Sequence, residues 1–417
     1  MKKTNLKLVK STSPTPAAGK KKGDDGRLAI DGGTPVRATA LPGPYPGALL
    51  MGKEEERQVL EVLRSKSLFR YYGPDVLGKA AELERRLAAR VGAKHALAVN
   101  SGTSALKCAL FALGVGAGDE VLVPAHSYVA TADVVLSLGA RPVFVEIDET
   151  MTMSPADLKK KIHKKVRAVC VVHLFGVAAD MDAILAITKP LGIPVLEDCA
   201  QSLGAAYRGK TVGQIGDIGV YSFQLNKVIT AGEGGAITTN DARLHDRAVR
   251  LHDHGNHRGN EAAGVPQIGE GFRMGELTAA VLLAQLGRLD DILSRLRSAK
   301  RTLTEGLEGV PGVTLTPVPD PEGDAGVALT YLCDTEERAT RAVAALNAEN
   351  IRVLRQYGGK PIYQQAAVKS VKLTPEPLCP RTADLVGRCV FLGLTTTFSK
   401  RDLGDVVAGV RKVMARI

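Results

Sequence analysis

Between Lys94 and Thr239 the chain alternates short apolar runs with stretches of helical spacing. The runs read HALAV, EVLVPA, RPVFVEI, VRAVCVVHL, IPVLEDC and GVYSF. Between them, Ala105–Leu113 sets Leu106, Leu110 and Leu113 on one face, and Ala132–Leu138 has the same helical character. Val- and Ile-rich strands separated by helices predict a parallel sheet covered on both sides, an α/β domain. Upstream, Leu28–Arg37 reads as a short strand with a Gly-Gly turn. Lys53–Arg64 reads as a helix with Val59, Leu60 and Leu63 on one face. Downstream, Glu276–Leu296 reads as one long helix suited to a subunit interface, with Leu277, Val281 and Ala284 along one side. Pro317–Gly326 has the composition of a linker. The strand VALTYL, the helices Glu336–Asn350 and Asp402–Met414, and a helix and strand in Cys379–Leu394 predict a smaller α/β domain. The expected division is a disordered basic tail over 1–26, a large domain over 27–296 and a small one over 297–417.

Ligands of such sheets bind at the carboxyl ends of the strands, so those ends carry the candidate chemistry. After HALAV come Asn100-Ser101-Gly102-Thr103-Ser104, opening a helix. Free N–H groups and the helix dipole there suit an anion, although a plain Ser N-cap would look the same. After EVLVP come His126, Ser127 and Tyr128, which offer an aromatic ring. After IPVLE comes Asp198, with Gln201 three residues on. After GVY comes Ser222, and then Lys227, ahead of the turn Gly232-Glu233-Gly234-Gly235. A lone lysine held between a strand and a Gly-rich turn, partly desolvated, suits attack on an aldehyde to form a Schiff base. A phosphate cradle, a stacking ring, a carboxylate for a ring nitrogen and an amine are together what pyridoxal phosphate requires.

At 417 residues, with 45% hydrophobic and 24% charged residues, the chain has room for two domains and an ordinary globular composition. No apolar run approaches the roughly 20 residues of a membrane span. The net charge is +11, and seven lysines against Asp24 and Asp25 place almost half of it in residues 1–25. That tail reads as a solvated extension, because no aromatic or fold-level nucleic-acid signature accompanies it. The six cysteines form no C-x-x-C pair, which speaks for free thiols in a reducing cytoplasm rather than disulfides or a metal cluster. His252, His254 and His257 lack a carboxylate or thiol to complete a metal site, so DHGNHRGN reads as a substrate- or partner-facing loop.

The segments SGTSALKCALFALGVGAGDEVLVPAHSYVATADVV, ARPVFVEID, VHLFGVAADMDAI, PVLEDCAQSLGAAYRGKTVGQIGDIG and YSFQLNKVITAGEGG resemble those of the DegT/DnrJ/StrS-type sugar aminotransferases. The resemblance runs from about Leu28 to the C-terminus. It implies a fold-type I pyridoxal-phosphate enzyme, cytoplasmic and homodimeric with shared active sites. Glutamate or glutamine would be the amino donor. The acceptor would be a ketosugar: a nucleotide-linked keto-deoxysugar, a carbocyclic ketone, or a sugar acid such as an octulosonate, to whose branch RYYGPDVLGK is similar. By motif, Lys227 would be the Schiff-base lysine and Asp198 the partner of the pyridine nitrogen. Gln201 would lie by the ring oxygen and Tyr128 on the ring, with Gly102, Thr103, Ser104 and Ser222 around the phosphate. The related sugar dehydratases carry histidine at position 227, so the lysine favours amino transfer. A non-catalytic regulatory protein of this fold would be expected to lack Lys227 or Asp198. Two departures stand out: Gly271 replaces a common phosphate-binding asparagine, and His126 stands where a large aromatic is common.

Overall fold

The computed structural model describes residues 26–254, 268–373 and 378–417. Helices α1 (Lys53–Ser65) and α2 (Lys79–Val91) lead into the alternating region. There β1 (His95–Val99), α3 (Gly102–Ala112), β2 (Glu120–Pro124), α4 (Ala130–Ser137), β3 (Arg141–Val145), α5 (Pro155–Lys161), β4 (Val166–Val172), α6 (Met181–Thr188) and β5 (Val195–Asp198) follow one another. A two-strand ribbon comes next, β6 (Ala206–Tyr207) with β7 (Lys210–Thr211), and then β8 (Ile218–Ser222), β9 (Gly235–Thr239) and α7 (Ala242–His252). After α8 (Glu276–Gly287) and α9 (Leu289–Leu307), the C-terminal part of the chain holds β10 (Thr314–Leu315), β11 (Ala328–Leu332), α10 (Glu336–Ala348), α11 (Ala366–Lys369), α12 (Pro380–Arg388), β12 (Cys389–Gly393) and α13 (Lys400–Met414), its three strands forming a separate sheet.

The main sheet has seven strands in the order β1-β9-β8-β5-β4-β2-β3. Pairs β2–β3, β2–β4, β4–β5 and β5–β8 are parallel, whereas β9 runs antiparallel to both β8 and β1. Every residue of β2, β5 and β9 is buried, as expected of strands covered on both faces. The reversal of β9 positions the site. Its first residue, Gly235, pairs with the last residues of both neighbours, Val99 and Ser222. The β8–β9 connection, which carries Lys227, therefore stays at the carboxyl edge of the sheet.

Several expectations are corrected. Leu28–Arg37 opens as a 3-10 turn rather than a strand, and it does not join the main sheet. Its backbone N–H groups at Ala29 and Val36 donate to buried Glu349, and Arg37 pairs with Asp402 and Asp405, so it docks on the C-terminal unit. The expected single helix over Glu276–Leu296 is two helices that break at Gly287–Arg288, and position 296 falls inside α9. Pro317–Gly326 is packed rather than free: Asp320 accepts from the Arg208 N–H, and Asp324 pairs with Lys300. The apolar face expected of α1 is reversed. Leu60 and Leu63 are exposed, while Glu55 and Val62 turn inward, Glu55 accepting from Gln285 and Arg288. The basic tail and most of DHGNHRGN, with Asn256 and Asn260 as candidate substitutes for the asparagine that Gly271 replaces, lie outside the described residues.

Candidate active site

Four strand ends and the β8–β9 connection meet at one edge of the sheet. At the end of β1, Ser101 caps α3 by accepting from the Ser104 N–H at 3.1 Å. The Ser104 hydroxyl donates to Asn100 Oδ1 at 2.7 Å. Ser104 is thus committed to the turn. The Gly102 and Thr103 N–H groups have no acceptor among the described residues, which leaves the first turn of an 11-residue helix open to an anion. Two glycines make this geometry possible. A Cβ on Gly102 would sit 2.7 Å from Ser222 Cβ, and one on Gly235 would sit 2.8 Å from the Gly102 nitrogen. The helix start, the end of β8 and the start of β9 are thereby pressed together, with the Ser222 side chain beside the open turn.

The amine comes from the β8–β9 connection. Phe223 N–H donates to Gly234 O and Ala231 N–H to Phe223 O, closing the base of the hairpin. Thr230 Oγ1 donates to Phe223 O and accepts from the Gly232 N–H. Within this frame Lys227 N–H donates to Gln224 O at 2.9 Å. Burial pulls the Lys227 amine below the usual lysine range, and the carboxylates of Asp198 and Glu233 act in the opposite sense. A lysine of that kind spends more of its time as the neutral nucleophile.

Asp198 ends β5 and is almost fully buried. Burial pushes its carboxyl up, while the Ala200 N–H, Lys227, His173 and the Thr131 hydroxyl hold it down. Its direct partners are few: Ala200 N–H at 3.0 Å and Thr131 Oγ1 at 3.4 Å. A buried carboxylate with lone pairs to spare suits a protonated ring nitrogen as a further partner.

Tyr128 stands at the rim, 55% exposed. Gln201 donates through Nε2 to the Tyr357 phenol oxygen at 2.8 Å. Tyr357, from the C-terminal unit, went unread in the sequence; its only signal there is an aromatic residue ahead of a glycine pair. Thr131, which orients Asp198 and is itself bonded to Ser127 at 3.1 Å, was also missed. His126 is buried against Phe175 and Tyr357, and neither ring nitrogen has a hydrogen-bond partner. Burial holds its pKa down to about 3, so it packs as a neutral ring. That accounts for an imidazole where an aromatic is common. Gly271 is exposed, and its carbonyl receives a long contact from Asn100 Nδ2 at 3.5 Å. Arg381, which in the sequence could face the substrate, is paired with Glu149. Of the two described histidines of the loop cluster, His252 is bonded to Tyr71 and the Val249 carbonyl, and the His254 backbone N–H donates to Glu270 O.

Among the described residues one other polar cluster has metal-ligand chemistry: His173, Glu197 and Cys199, all buried. The ligand atoms of its Glu197 and His173 are spent. Glu197 accepts from the N–H groups of Gly213, Ile215 and Gly216 and from His173 Nε2, and His173 Nδ1 accepts from the Ala179 N–H. The cluster ties the β7–β8 turn to the sheet.

The residues at the sheet edge fit pyridoxal phosphate: an open helix N-terminus, an under-partnered buried carboxylate and an amine depressed by burial. Comparison with known proteins agrees. Residues 50–411 match the model of the DegT/DnrJ/EryC1/StrS aminotransferase family. The chain is 35% identical over 380 residues to the spore coat polysaccharide biosynthesis protein SpsC of Bacillus subtilis, covering 88% of this chain and 95% of that protein. It is 39% identical over 297 residues to the L-glutamine:2-deoxy-scyllo-inosose aminotransferase of Micromonospora echinospora, covering 67% and 68% of the two chains. The solved structure of DesV from S. venezuelae superposes with a TM-score of 0.81 at 29% identity, covering 91% of this chain and all of that one. The chain belongs to the DegT/DnrJ/EryC1/StrS aminotransferase family and is a pyridoxal-phosphate-dependent aminotransferase of the fold that family shares.

Proposed function

We propose that this aminotransferase moves an amino group from glutamate or glutamine to a ketosugar in amino-sugar biosynthesis. The observation that carries the reading is that the hairpin holding Lys227 and the under-partnered carboxylate of Asp198 meet at one sheet edge beside the open turn of α3. The relatives named for polysaccharide biosynthesis and for a scyllo-inosose substrate support the acceptor class.

When bound, pyridoxal phosphate supplies an aldehyde and an electron-accepting ring. Gly102, Thr103, Ser104 and Ser222 would hold its phosphate, the first two through their free N–H groups and Ser104 by keeping the capped turn in shape. Asp198 would keep the ring nitrogen protonated, Tyr128 would cover the ring, and Gln201 would serve the ring oxygen. Lys227 would hold the cofactor through its amine, and its Nζ, once displaced by the donor amine, would take the proton from the donor carbon that bears nitrogen. In the second half-reaction it returns a proton to the acceptor carbon. The histidine that would favour dehydration is absent from position 227.

A second copy of the chain is part of this reading. Between Leu60 and Leu77, six large apolar side chains are exposed: Leu60, Leu63, Leu68, Tyr72, Val76 and Leu77. So many in one short segment suit a protein interface, and a homodimer with shared sites covers them. All six cysteines are buried and free, which suits the cytoplasm, and no described helix is long and apolar enough to cross a membrane. The same reading divides the chain into a cofactor-binding unit through Leu296 and a smaller unit after it.

The test is amino transfer from amide-labelled and amine-labelled L-glutamine, and from labelled L-glutamate, to a panel of nucleotide-linked, carbocyclic and acidic ketosugars, read by mass spectrometry. Labelled amino-sugar from the wild type, and none from K227A, is the expected result. Turnover that survives K227A would overturn the reading.

A further inference from the structure

The segment 354–362 crosses from the small sheet to the active-site edge and is pinned at both ends. Leu354 exchanges two backbone hydrogen bonds with Phe391, and the Ile362 N–H donates to Ala125 O, one residue before His126. Between these pins the backbone is unusual. Tyr357 has φ 52° and ψ 32°, and Gly358 and Gly359 follow at φ 72° and 67°. A tyrosine in the left-handed region is uncommon, and such conformations persist where surrounding contacts enforce them. The contacts are present. Arg355 folds back over Gly359, where any Cβ would collide with its guanidinium, and it donates to Thr340 Oγ1 at 2.7 Å and to Glu336.

This backbone delivers the Tyr357 side chain into the site. Its ring lies edge-on to His126, with centroids 5.6 Å apart, and tilted against Tyr128 at 6.1 Å. Its oxygen accepts from Gln201 Nε2 at 2.8 Å. Burial pushes the phenol up to about 12, so it stays neutral at working pH. The partnership fixes one end of the Gln201 carboxamide and leaves the second N–H of that nitrogen for another acceptor.

We propose that Tyr357 is a positioning residue of the active site, in which the small unit sets the orientation of the Gln201 carboxamide toward the cofactor's ring oxygen. The inference rests on the proposed place of Gln201 beside that oxygen. It gives the left-handed turn a purpose: a phenol brought from more than 150 residues away steers a side chain of the β5 loop. It also gives His126 a role. A neutral ring packed edge-on behind Tyr357 supports the phenol without adding charge.

The experiment is a pH titration of the absorbance band of the lysine-bound cofactor, at about 410–430 nm, in holoenzymes of the wild type, Y357F, Q201A and Y357F/Q201A. A hydrogen bond from Gln201 stabilises the anionic ring oxygen, so its loss makes that oxygen more basic and raises the midpoint. Q201A is expected to raise it, Y357F to raise it by a smaller amount, and the double variant to match Q201A, because Tyr357 acts through Gln201. Asp198, Lys227, Glu233, Tyr128 and His126 are the titratable groups facing this corner, and all are unchanged in these variants. Y357H, a ring that retains an acceptor, should lie nearer the wild type than Y357F does. Y357L replaces Y357F if the latter does not fold. A wild-type midpoint in Y357F, or shifts that add in the double variant, would overturn the proposal while leaving the cofactor assignment intact. Absence of the band from the wild type would overturn the assignment beneath it.

Discussion

Glu197 and Asp198 are neighbours on one buried strand, and their environments differ sharply. Glu197 points to one side of the sheet and accepts four hydrogen bonds, three from backbone N–H groups and one from His173. Asp198 accepts one good bond and one long one, and feels the Lys227 amine. Both carboxylates are buried. The first is satisfied by the protein and so holds structure. The second is left short and so is available to a ligand. Burial alone does not separate structural from functional acids; the count of partners does.

That comparison can be broken from either side. E197A should have the largest effect on folding, a loss of about 3–5 kcal/mol in denaturant unfolding, because three N–H groups and an imidazole lose their shared acceptor in a dry interior. D198N should leave the stability of the cofactor-free protein within about 1 kcal/mol of wild type. Turnover in D198N should nonetheless fall by about 10²–10³-fold, in the range seen when a preorganised electrostatic partner is removed. Equal stability losses in E197A and D198N would erase the distinction.

Smaller effects sharpen it. Asp198 and Glu233 both raise the Lys227 pKa, with Asp198 the stronger. Removing either charge therefore lowers the pH at which the amine becomes neutral. The acid limb of cofactor uptake by the apoprotein should move to lower pH in D198N, and less far in E233Q. Because Glu233 is exposed, its shift should shrink as salt rises, whereas that of buried Asp198 should persist. An upward shift in either variant would contradict the stated electrostatics. On the surface, L60K/L63K should convert a dimer to monomer in light scattering while the monomer keeps its helical content. H126F should change least, since a neutral buried imidazole already serves as a ring: turnover within about threefold of wild type would fit an aromatic swap of similar volume.

The strands, and the residues gathered at their carboxyl ends, were legible because their causes are local. Val- and Ile-rich runs of strand length can be read without neighbours, and the ends of those strands carry Gly102, Asp198, Ser222 and Lys227. What escaped depends on distant contacts. The exposure of Leu60 and Leu63 follows from which face of α1 meets α8, which helical spacing cannot tell; buried Glu55 and its partner Gln285 decide it. The docking of Leu28–Arg37 on Glu349 and Asp402 joins opposite ends of the chain. Tyr357 reaches Gln201 only through a left-handed turn held by Arg355. The division between Glu197 and Asp198 was half visible: alternation on a strand puts them on opposite faces, but the turn that saturates Glu197 lies 16 to 19 residues further on.

The central claim is that Lys227 and Asp198 serve one cofactor that exchanges an amino group. Its most direct test is the absorbance spectrum of the purified protein with pyridoxal phosphate, before and after L-glutamate and then L-glutamine. A band at about 410–430 nm that moves to about 330 nm with one of the donors, and that is missing from K227A, is the predicted result. No band in the wild type, or the same band in K227A, would contradict the account.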